Sequence, residues 1–400
     1  MFYFFCFLLI LIFTSFLFLY MNMGVKLNLN IVITFISTLM ILSIIINPKI
    51  CLTSGLQGLN LFIKSVFPSL FPFLVIINLM ISFKGVDIYA SILGGVLCKP
   101  LRLPRNCSIV VMVSFLCGYP LGAKFAVDLY TKKEIDYSTC QRLIAIASNP
   151  SPLFVIGFIG VNLLGNPFLG YVLLLSTYIS CLIMSFILKP NKEKSFYQSF
   201  KQNKKLVNEN SSPNTHKIGA ALKDAIHNGI ITCLDIGGFI VFFSVIISII
   251  KNNTLLDIVL NKISYVIPLN VDFIESSLLG IIEITNGCNE LNSLSINPQW
   301  KIILISFLLG FSGLSIIAQV SSFIAPYNFS IKIYIKNKLL QGFLCSIISL
   351  ILLKVDIFNL SENVFNYTSK NPHSFYGIYV VIILAFFSLF IIKKLFNRIS

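Results

Sequence analysis

Residues Ser114 to Phe154 read SFLCGYPLGAKFAVDLYTKKEIDYSTCQRLIAIASNPSPLF, and this stretch decides the fold. A charged patch separates two apolar runs, and each run contains a helix-breaking motif, GYPLGAK in the first and SNPSP in the second. Irregular backbone at membrane depth persists only where protein buries it or where it lines a wet cavity. The alternative is a pair of kinks that neighbouring helices tolerate. Because a similar pair of motifs recurs later in the chain, we favour a binding site.

Composition places the chain in a membrane. It has 400 residues, of which 56% are hydrophobic and 11% are charged, with a mean hydropathy of +0.88. Soluble domains carry about 25% charged residues. The net charge of +15 comes from Lys and Arg clustered between apolar runs, which is the pattern of cytoplasmic loops. We therefore expect contact with the lipid bilayer and no nucleic-acid partner.

Metal, disulfide and catalytic motifs are not recognisable in the sequence. The ten cysteines include no CxxC pair, and His216, His227 and His373 are far apart. No hydrolase, zinc-protease, P-loop or dinucleotide-binding motif stands in a convincing context. We expect neither an enzyme nor a metal or cofactor site.

Four regions divide the chain. Residues 1–30 form an apolar extension without the basic start or cleavage site of a signal peptide, and Met23 offers an alternative start. Residues 31–188 and 218–400 are two membrane halves. Residues 189–217 are a Lys-, Asn- and Ser-rich linker, which we place in the cytoplasm.

The two halves repeat an order of features rather than a sequence. Residues 68–73 fall against 235–239, 118–122 against 283–287, and 149–153 against 311–315. In each half an interrupted apolar run precedes a Gly- or Pro-rich element, a polar gap and a second interrupted run. Corresponding interruptions in two halves indicate a transporter site, although chance agreement in Gly-rich membrane sequence is the alternative.

Six motifs carry a resemblance to a known family. They are GLxLxxxxVFPSLFPF, GYPLGAK, SNPSPLF, IGGFIVFFSV, GIIEITNG and GFSGLSIIAQV. At these motifs the chain resembles the sporulation integral membrane protein YlbJ family, also called SpoVV, from about Ile31 onward. The family carries the Gate, or nucleoside-recognition, type of domain and is similar in architecture to concentrative nucleoside transporters.

The resemblance implies an all-α, polytopic membrane helix bundle with inverted repeats and broken or re-entrant helices. It also implies a role in endospore-forming bacteria, where the family moves dipicolinic acid from the mother cell across the outer forespore membrane. The implied partner is a small anion, dipicolinate, and the implied location is that multi-pass membrane. A homo-oligomer is left open.

Candidate substrate-binding residues come from the interrupted runs of both halves. Dipicolinate is a planar aromatic dianion, so its site needs positive potential, hydrogen-bond donors and an apolar or aromatic wall, and broken helices supply the first two. The first half offers Gly118, Tyr119, Pro120, Lys124, Ser148, Asn149 and Ser151, and the second offers Thr285, Asn286, Ser312, Ser315 and Gln319.

Lys124 is the candidate cation, and Tyr119 is the candidate ring that stacks on the substrate. The alternatives are a lysine that reaches to the membrane interface and an aromatic residue of the interfacial belt. Glu283, in an apolar run, is the candidate for the coupling ion: it could carry a proton, bind Na⁺ or cap a broken helix. Asp235 is a second candidate, with an N-cap before Gly237 as its alternative.

These observations together predict a secondary transporter that works by alternating access about broken helices. A nucleoside or other small-metabolite carrier is the alternative within the same class. A non-transporting membrane scaffold for spore assembly is the alternative outside it, and such a scaffold would tolerate the loss of Lys124 and Glu283.

Overall fold

The computed structural model describes residues 29–83, 85–188, 218–252, 260–262, 264–265 and 270–355. Within these ranges the chain is α-helical and contains no strand, which confirms the predicted all-α membrane bundle. The apolar extension before residue 29, the 189–217 linker and the apolar run 376–395 lie outside the described residues.

Fifteen α-helices are formed within the described residues. They are α1 (Leu29–Ile46), α2 (Pro48–Leu61), α3 (Phe67–Ser82), α4 (Gly85–Ile92), α5 (Gly94–Leu97), α6 (Ser108–Cys117), α7 (Leu121–Thr131), α8 (Tyr137–Ile146), α9 (Pro167–Ile187), α10 (Ile218–Lys251), α11 (Val271–Ile282), α12 (Ile284–Ser293), α13 (Pro298–Phe311), α14 (Gly313–Ile324) and α15 (Ile331–Val355). A π-helical turn (Phe62–Val66) joins α2 to α3, and a π-helix (Leu153–Leu163) precedes α9.

Four helical segments are long and apolar enough to cross a membrane. By length and composition they are Pro167–Ile187, Ile218–Lys251, Pro298–Tyr327 and Ile331–Lys354, and two sharply bent helix pairs raise the number to six within the described residues. One bent pair joins Asn30–Ile46 to Pro48–Lys64 at 102°. Arrays of exposed Ile, Leu and Phe side chains along α1 and α10 suit a lipid-facing surface.

The motifs of the sequence analysis interrupt four helical runs. The first break (118–120) separates α6 from α7, and the second (147–152) separates α8 from the π-helix. The third break, at Glu283, separates α11 from α12, and the fourth, at Ser312, separates α13 from α14. Each half thus contributes two interruptions in the predicted order.

Corresponding helices of the two halves pair antiparallel. Along α10, Val245 and Ser244 approach Gly55 and Gly58 of α2, whereas Gly229 approaches Phe71 of α3. The end helices of the two halves also pair, since α15 packs along α9 with Cys345 against Ser176 and Ser180. Antiparallel pairing of equivalent helices is the arrangement of inverted-topology repeats, whose type the sequence motifs alone leave open.

One expected interruption is wrong. Residues 235–239 were paired with the Pro-rich run 68–73 as an interrupted segment, but α10 continues through them as one 34-residue helix. Asp235 therefore is not an N-cap. Gly237 instead permits close packing, because a Cβ atom there would stand 2.8 Å from the ring of Phe62, where the π-helical turn begins.

The apolar core is shared between the halves. One cluster joins first-half residues such as Phe125 and Leu143 to Val320 and Ile324 of α14. The other joins the π-helix and α9 to α12 and α13. Because each cluster draws on both halves, the two halves form one bundle.

Candidate functional site

A cavity of about 190 Å³ lies where the four breaks meet. Two apolar segments complete its wall, the π-helical turn between α2 and α3 and the middle of α10. Its lining consists of Leu61, Val66, Leu70, Cys117, Tyr119, Pro120, Ser151, Leu153, Phe154, Phe158, Ile236, Ile240, Glu283, Ile284, Thr285, Ser315, Ile316 and Gln319. Seven of the candidate residues are thus brought together: Tyr119, Pro120, Ser151, Glu283, Thr285, Ser315 and Gln319.

The two breaks of the first half hold each other through main-chain contacts. The N–H of Tyr119 donates a 2.7 Å hydrogen bond to the carbonyl oxygen of Asn149. Gly118 has a φ of +84°, and a Cβ atom there would lie 2.6 Å from the nitrogen of Ser151. This close approach explains why glycine stands at 118. The Tyr119–Pro120 peptide bond is cis.

The two breaks of the second half meet in the same way. Ser312 and Gly313 have φ values of 77° and 74°, so the chain turns sharply between α13 and α14. A Cβ atom on Gly313 would lie 3.4 Å from the carbonyl oxygens of Gly280 and Ile281, at the end of α11. The fourth break therefore rests against the third.

Glu283 caps α12 from within the cavity wall. Its Oε1 accepts a 3.0 Å hydrogen bond from the N–H of Thr285, and its Oε2 accepts bonds of 2.8 and 3.0 Å from the N–H and the Nδ2 of Asn286. A carboxylate at this position complements the positive end of the helix dipole. Of the roles weighed for Glu283, the capping role is visible in the geometry.

Two other helix starts at the cavity have no side chain as an N-cap. α7 starts after Pro120 and α14 after Ser312, and neither residue accepts a capping hydrogen bond with its side chain. At the start of the π-helix, by contrast, the hydroxyl of Ser151 accepts a 3.3 Å hydrogen bond from the N–H of Phe154. The first N–H groups of a helix attract anions. Two helix starts with this property, those of α7 and α14, therefore lie at one cavity.

Polar atoms in the cavity wall lack partners. The hydroxyl of Tyr119 and the Oε1 of Gln319 are buried and have no hydrogen-bond partner among the described residues. The same holds for the hydroxyl of Ser312 at the fourth break. Buried polar groups are nearly always hydrogen-bonded. Gln319, 2% exposed, is therefore poised to bond with an occupant of the cavity.

Lys124 and Asp235 lie in a second, polar chamber of about 460 Å³. Charged and polar side chains of α3, α7 and α10 surround it, among them Asp128, Lys132 and Asp224. Lys124 donates a 2.8 Å hydrogen bond to Thr232. The residues of α7 and α10 that line the chamber lie further from the cavity, towards the end of the bundle where α10 begins. The predicted cation is thus outside the cavity itself.

Ser148 and Asn149 are fully buried behind the cavity wall. Lys338 of α15 donates a 2.6 Å bond to the carbonyl oxygen of Ser148, and Gln341 donates a 2.9 Å bond from its Nε2 to the Oδ1 of Asn149. Tyr334 and Ser148 share a 2.7 Å hydroxyl contact. The remaining candidates, Gly118, Asn286 and Ser312, belong to the breaks without lining the cavity.

The sequence analysis missed Lys338, Gln341 and Tyr334. All three lie in residues 331–353, where the sequence motifs name no candidate residue. The signal that could have found Lys338 is its charge inside that span, because an ionisable residue at membrane depth is a functional hypothesis by default.

No group of three or more His, Cys, Asp or Glu side chains with metal-binding geometry occurs in the described part of the chain. The nine cysteines described there are buried and free.

Comparisons with known proteins agree with the resemblance stated from the motifs. Residues 63–189 match the Gate family model, described as nucleoside recognition, which spans α3 to α9 and both breaks of the first half. The chain is also 26% identical over 346 residues to the sporulation integral membrane protein YlbJ of Bacillus subtilis (strain 168), covering 83% of this chain and 84% of that protein. No solved structure matches. The resemblance to the YlbJ family is thereby confirmed.

Proposed function

We propose that this chain is a secondary transporter of sporulating cells that carries dipicolinate by alternating access. The observation that carries the proposal is the cavity at which four helix breaks from two inverted halves converge. Carriers of this architecture bind substrate where discontinuous helices meet near the middle of the membrane. A helix bundle serving only as a scaffold has no need of such a cavity.

The size of the cavity supports a substrate with one ring. An engineered apolar cavity of about 150 Å³ accommodates benzene. A cavity of about 190 Å³ accommodates a six-membered ring with small substituents. Phe154 and Phe158, stacked with ring centroids 5.5 Å apart, provide an aromatic part of the wall. Dipicolinate, a pyridine ring with two carboxylates, has these dimensions.

The helix starts support an anionic substrate. Those of α7 and α14 present N–H groups without a side-chain N-cap, and such groups together with the helix dipole attract carboxylates. The carboxylate of Glu283 opposes this attraction less than its formal charge suggests, because three donors of Thr285 and Asn286 already surround it.

The polar chamber supports a route from one side of the membrane. It lies at the end of the bundle where α10 begins, and α10 follows in sequence the 189–217 linker that the positive-inside rule assigns to the cytoplasm. Lys124 and Lys132 would attract the anion at this chamber, against the opposing carboxylates of Asp128, Asp224 and Asp235, before the anion reaches the cavity. The mother cell would then be the source of dipicolinate, and the outer forespore membrane the barrier crossed.

A nucleoside is the second candidate substrate, and two observations favour it. The matching family model is described as nucleoside recognition. In addition, the Oε1 of Gln319 lacks a donor, and the N–H groups of a nucleobase would supply one. A pyrimidine base is also a single six-membered ring, so the cavity volume alone does not separate the two candidates.

Uptake into proteoliposomes tests the proposal. We expect vesicles with the wild type to take up labelled dipicolinate, and Ile236→Trp to abolish uptake by filling the cavity. Leu234→Trp is the matched control, because Leu234 lies two residues away on α10 and is 58% exposed. Uptake no faster than in empty vesicles, with folded protein, would overturn the proposal. Uridine that competes with dipicolinate, or that enters in its place, would favour the nucleoside carrier.

A further inference from the structure

Lys338 is a lysine whose side chain is wholly enclosed in the bundle. It is 0% exposed, and its Nζ donates hydrogen bonds of 2.6 Å to the carbonyl oxygen of Ser148 and 2.7 Å to the Oε1 of Gln341. Among the described residues, no salt bridge joins Lys338 to a carboxylate. Its ligands are neutral oxygens.

Lys338 lies directly behind the wall of the cavity. The carbonyl oxygen that it binds belongs to Ser148, at the start of the second break, and Ser151 of the same break lines the cavity. The next residue, Asn149, accepts the N–H of Tyr119 through its carbonyl oxygen, and Tyr119 also lines the cavity. One short segment therefore separates the ammonium group from the substrate space.

The surroundings of the ammonium group resemble a binding site for a small cation. Main-chain carbonyl oxygens freed at a helix break, together with side-chain oxygens, coordinate cations in transporters. Here Ser148 supplies the carbonyl and Gln341 the amide oxygen. The Nζ atom occupies the position that a diffusible cation would take.

A buried ammonium group without a counter-charge is costly, because neutral oxygens replace only part of its hydration. An anion in the adjoining cavity reduces that cost. The interaction grows with the charge of the anion and is strong at low local dielectric. The charge of Lys338 therefore makes the free energy of ligand binding in the cavity depend on the charge of the ligand, although Lys338 does not touch the ligand.

We propose that Lys338 is a tethered cation at the second helix break and that its charge makes the cavity prefer negatively charged ligands. This inference deepens the proposed function and rests on it. It assigns the substrate class as ring carboxylates, with dicarboxylates preferred over monocarboxylates. Lys338 acts as a positioning and selectivity residue, since it acts through the second break.

A panel of three ligands with one ring tests the selectivity. Dipicolinate carries two carboxylates, picolinate one, and picolinamide none. We expect Lys338→Met to weaken equilibrium binding of dipicolinate the most, by on the order of tenfold per carboxylate, and to leave picolinamide nearly unchanged. Lys338→Gln, which keeps a hydrogen-bond donor, would show the same order. Lys332→Gln, at an exposed position of α15, is the matched control.

A purely structural role would give a different pattern. Equal weakening of all three ligands by Lys338→Met and Lys338→Gln would overturn the proposal, as would unchanged binding of dipicolinate. Melting temperatures of both variants in detergent establish that the compared proteins are folded. Should Lys338→Met fail to fold, Lys338→Gln supplies the comparison.

Chemical rescue tests the tethered cation without any substrate. Lys338→Ala removes the side chain beyond Cβ, and propylammonium has the three carbons and the nitrogen that are lost. We expect propylammonium to raise the melting temperature of Lys338→Ala by several degrees more than 1-propanol does, with no such difference in the wild type. If propylammonium and 1-propanol raised the melting temperature of Lys338→Ala equally, the proposal that Lys338 is a tethered cation would be wrong. If the wild type bound none of the three ring ligands, the result would instead contradict the proposed function of dipicolinate transport.

Discussion

The N–H of Tyr119 donates a 2.7 Å hydrogen bond to the carbonyl oxygen of Asn149, and this bond ties the two helix breaks of the first half together. Because Tyr119 lines the cavity and Asn149 is held by Gln341 of α15, a movement of α15 would be felt in the cavity wall. The bond between Gln341 and Asn149 thus connects the second half to a break of the first half.

Close packing at the breaks predicts intolerance of a single methyl group. A Cβ atom on Gly122 would lie 1.7 Å from the carbonyl oxygen of Ala147. We expect Gly122→Ala to lower the free energy of unfolding by about 3 kcal/mol or more, measured as a fall in melting temperature. Gly238→Ala, with open space around it in α10, is the control and is expected to be neutral or stabilising by up to about 1 kcal/mol. If Gly122→Ala left the melting temperature as little changed as Gly238→Ala does, the close packing of Gly122 against Ala147 would be contradicted.

The cap formed by Glu283 predicts a combined effect on stability and transport. Glu283→Ala removes the acceptor for three donors, and we expect a loss of about 1 kcal/mol in the free energy of unfolding. Uptake should fall further than stability explains, because α12 starts at the cavity. The control is Glu290→Gln at the exposed ion pair with Lys251, where we expect little effect. If Glu283→Ala took up dipicolinate at the wild-type rate, Glu283 would have no role at the binding site.

The position of Lys124 outside the cavity predicts that its substitution slows dipicolinate uptake but changes dipicolinate binding little. Lys124 lines the chamber with Asp128 and Asp235, so Lys124→Met leaves the cavity intact and makes the chamber more negative. We expect equilibrium binding of dipicolinate to change by less than about threefold, while uptake slows by about tenfold through lost steering. Lys49→Gln, at an exposed lysine, serves as the control. If Lys124→Met lowered dipicolinate binding by as large a factor as it lowered uptake, Lys124 would contact the substrate directly.

Asp136 predicts a pH-dependent contribution to stability. It precedes α8, and its carboxylate accepts hydrogen bonds from the hydroxyl of Ser138 and from the N–H of Thr139. Partial burial raises the pKa of this carboxyl, but the hydrogen bonds to its charged form outweigh burial, so the pKa lies below its usual value. A depressed folded-state pKa stabilises the fold above the unfolded-state pKa, and this is lost as pH falls through the folded-state pKa.

We therefore expect Asp136→Ala to be less stable than the wild type by about 1 kcal/mol at pH 7. The difference should narrow as pH falls below about 4, the usual pKa of aspartate. Melting temperatures across pH 3 to 7 in one detergent provide the measurement. A constant difference over that range would show that the charge of Asp136 contributes nothing.

The positions of the breaks were predictable because their causes are local. Proline lacks an N–H group, and glycine adopts a positive φ or permits close approach, so GYPLGAK and SNPSP interrupt helices where they stand. Locality also explains the error at Gly237 and Gly238. Both glycines fit within a helix, α10 continues through them, and Gly237 allows the ring of Phe62 to approach closely.

The members of the cavity wall were predictable only in part. Tyr119, Ser151, Glu283 and Gln319 line the cavity, whereas Lys124 lies beyond it in the chamber. Successive helical residues point about 100° apart, so a few positions along α7 change the space that a side chain enters. Packing against α10 fixes that direction, and no local signal in the sequence records it.

The sequence by itself determined the class of protein, because apolar segments favour lipid and clustered basic segments favour water, whatever the tertiary structure. It also determined where the backbone breaks, because proline and glycine act on their own dihedral angles. Only the tertiary structure decided that equivalent helices pair antiparallel, that four breaks enclose one cavity and that Lys338 lies behind its wall. These relationships join residues up to about 190 positions apart, as Lys338 and Ser148 are, and such contacts depend on how whole helices pack.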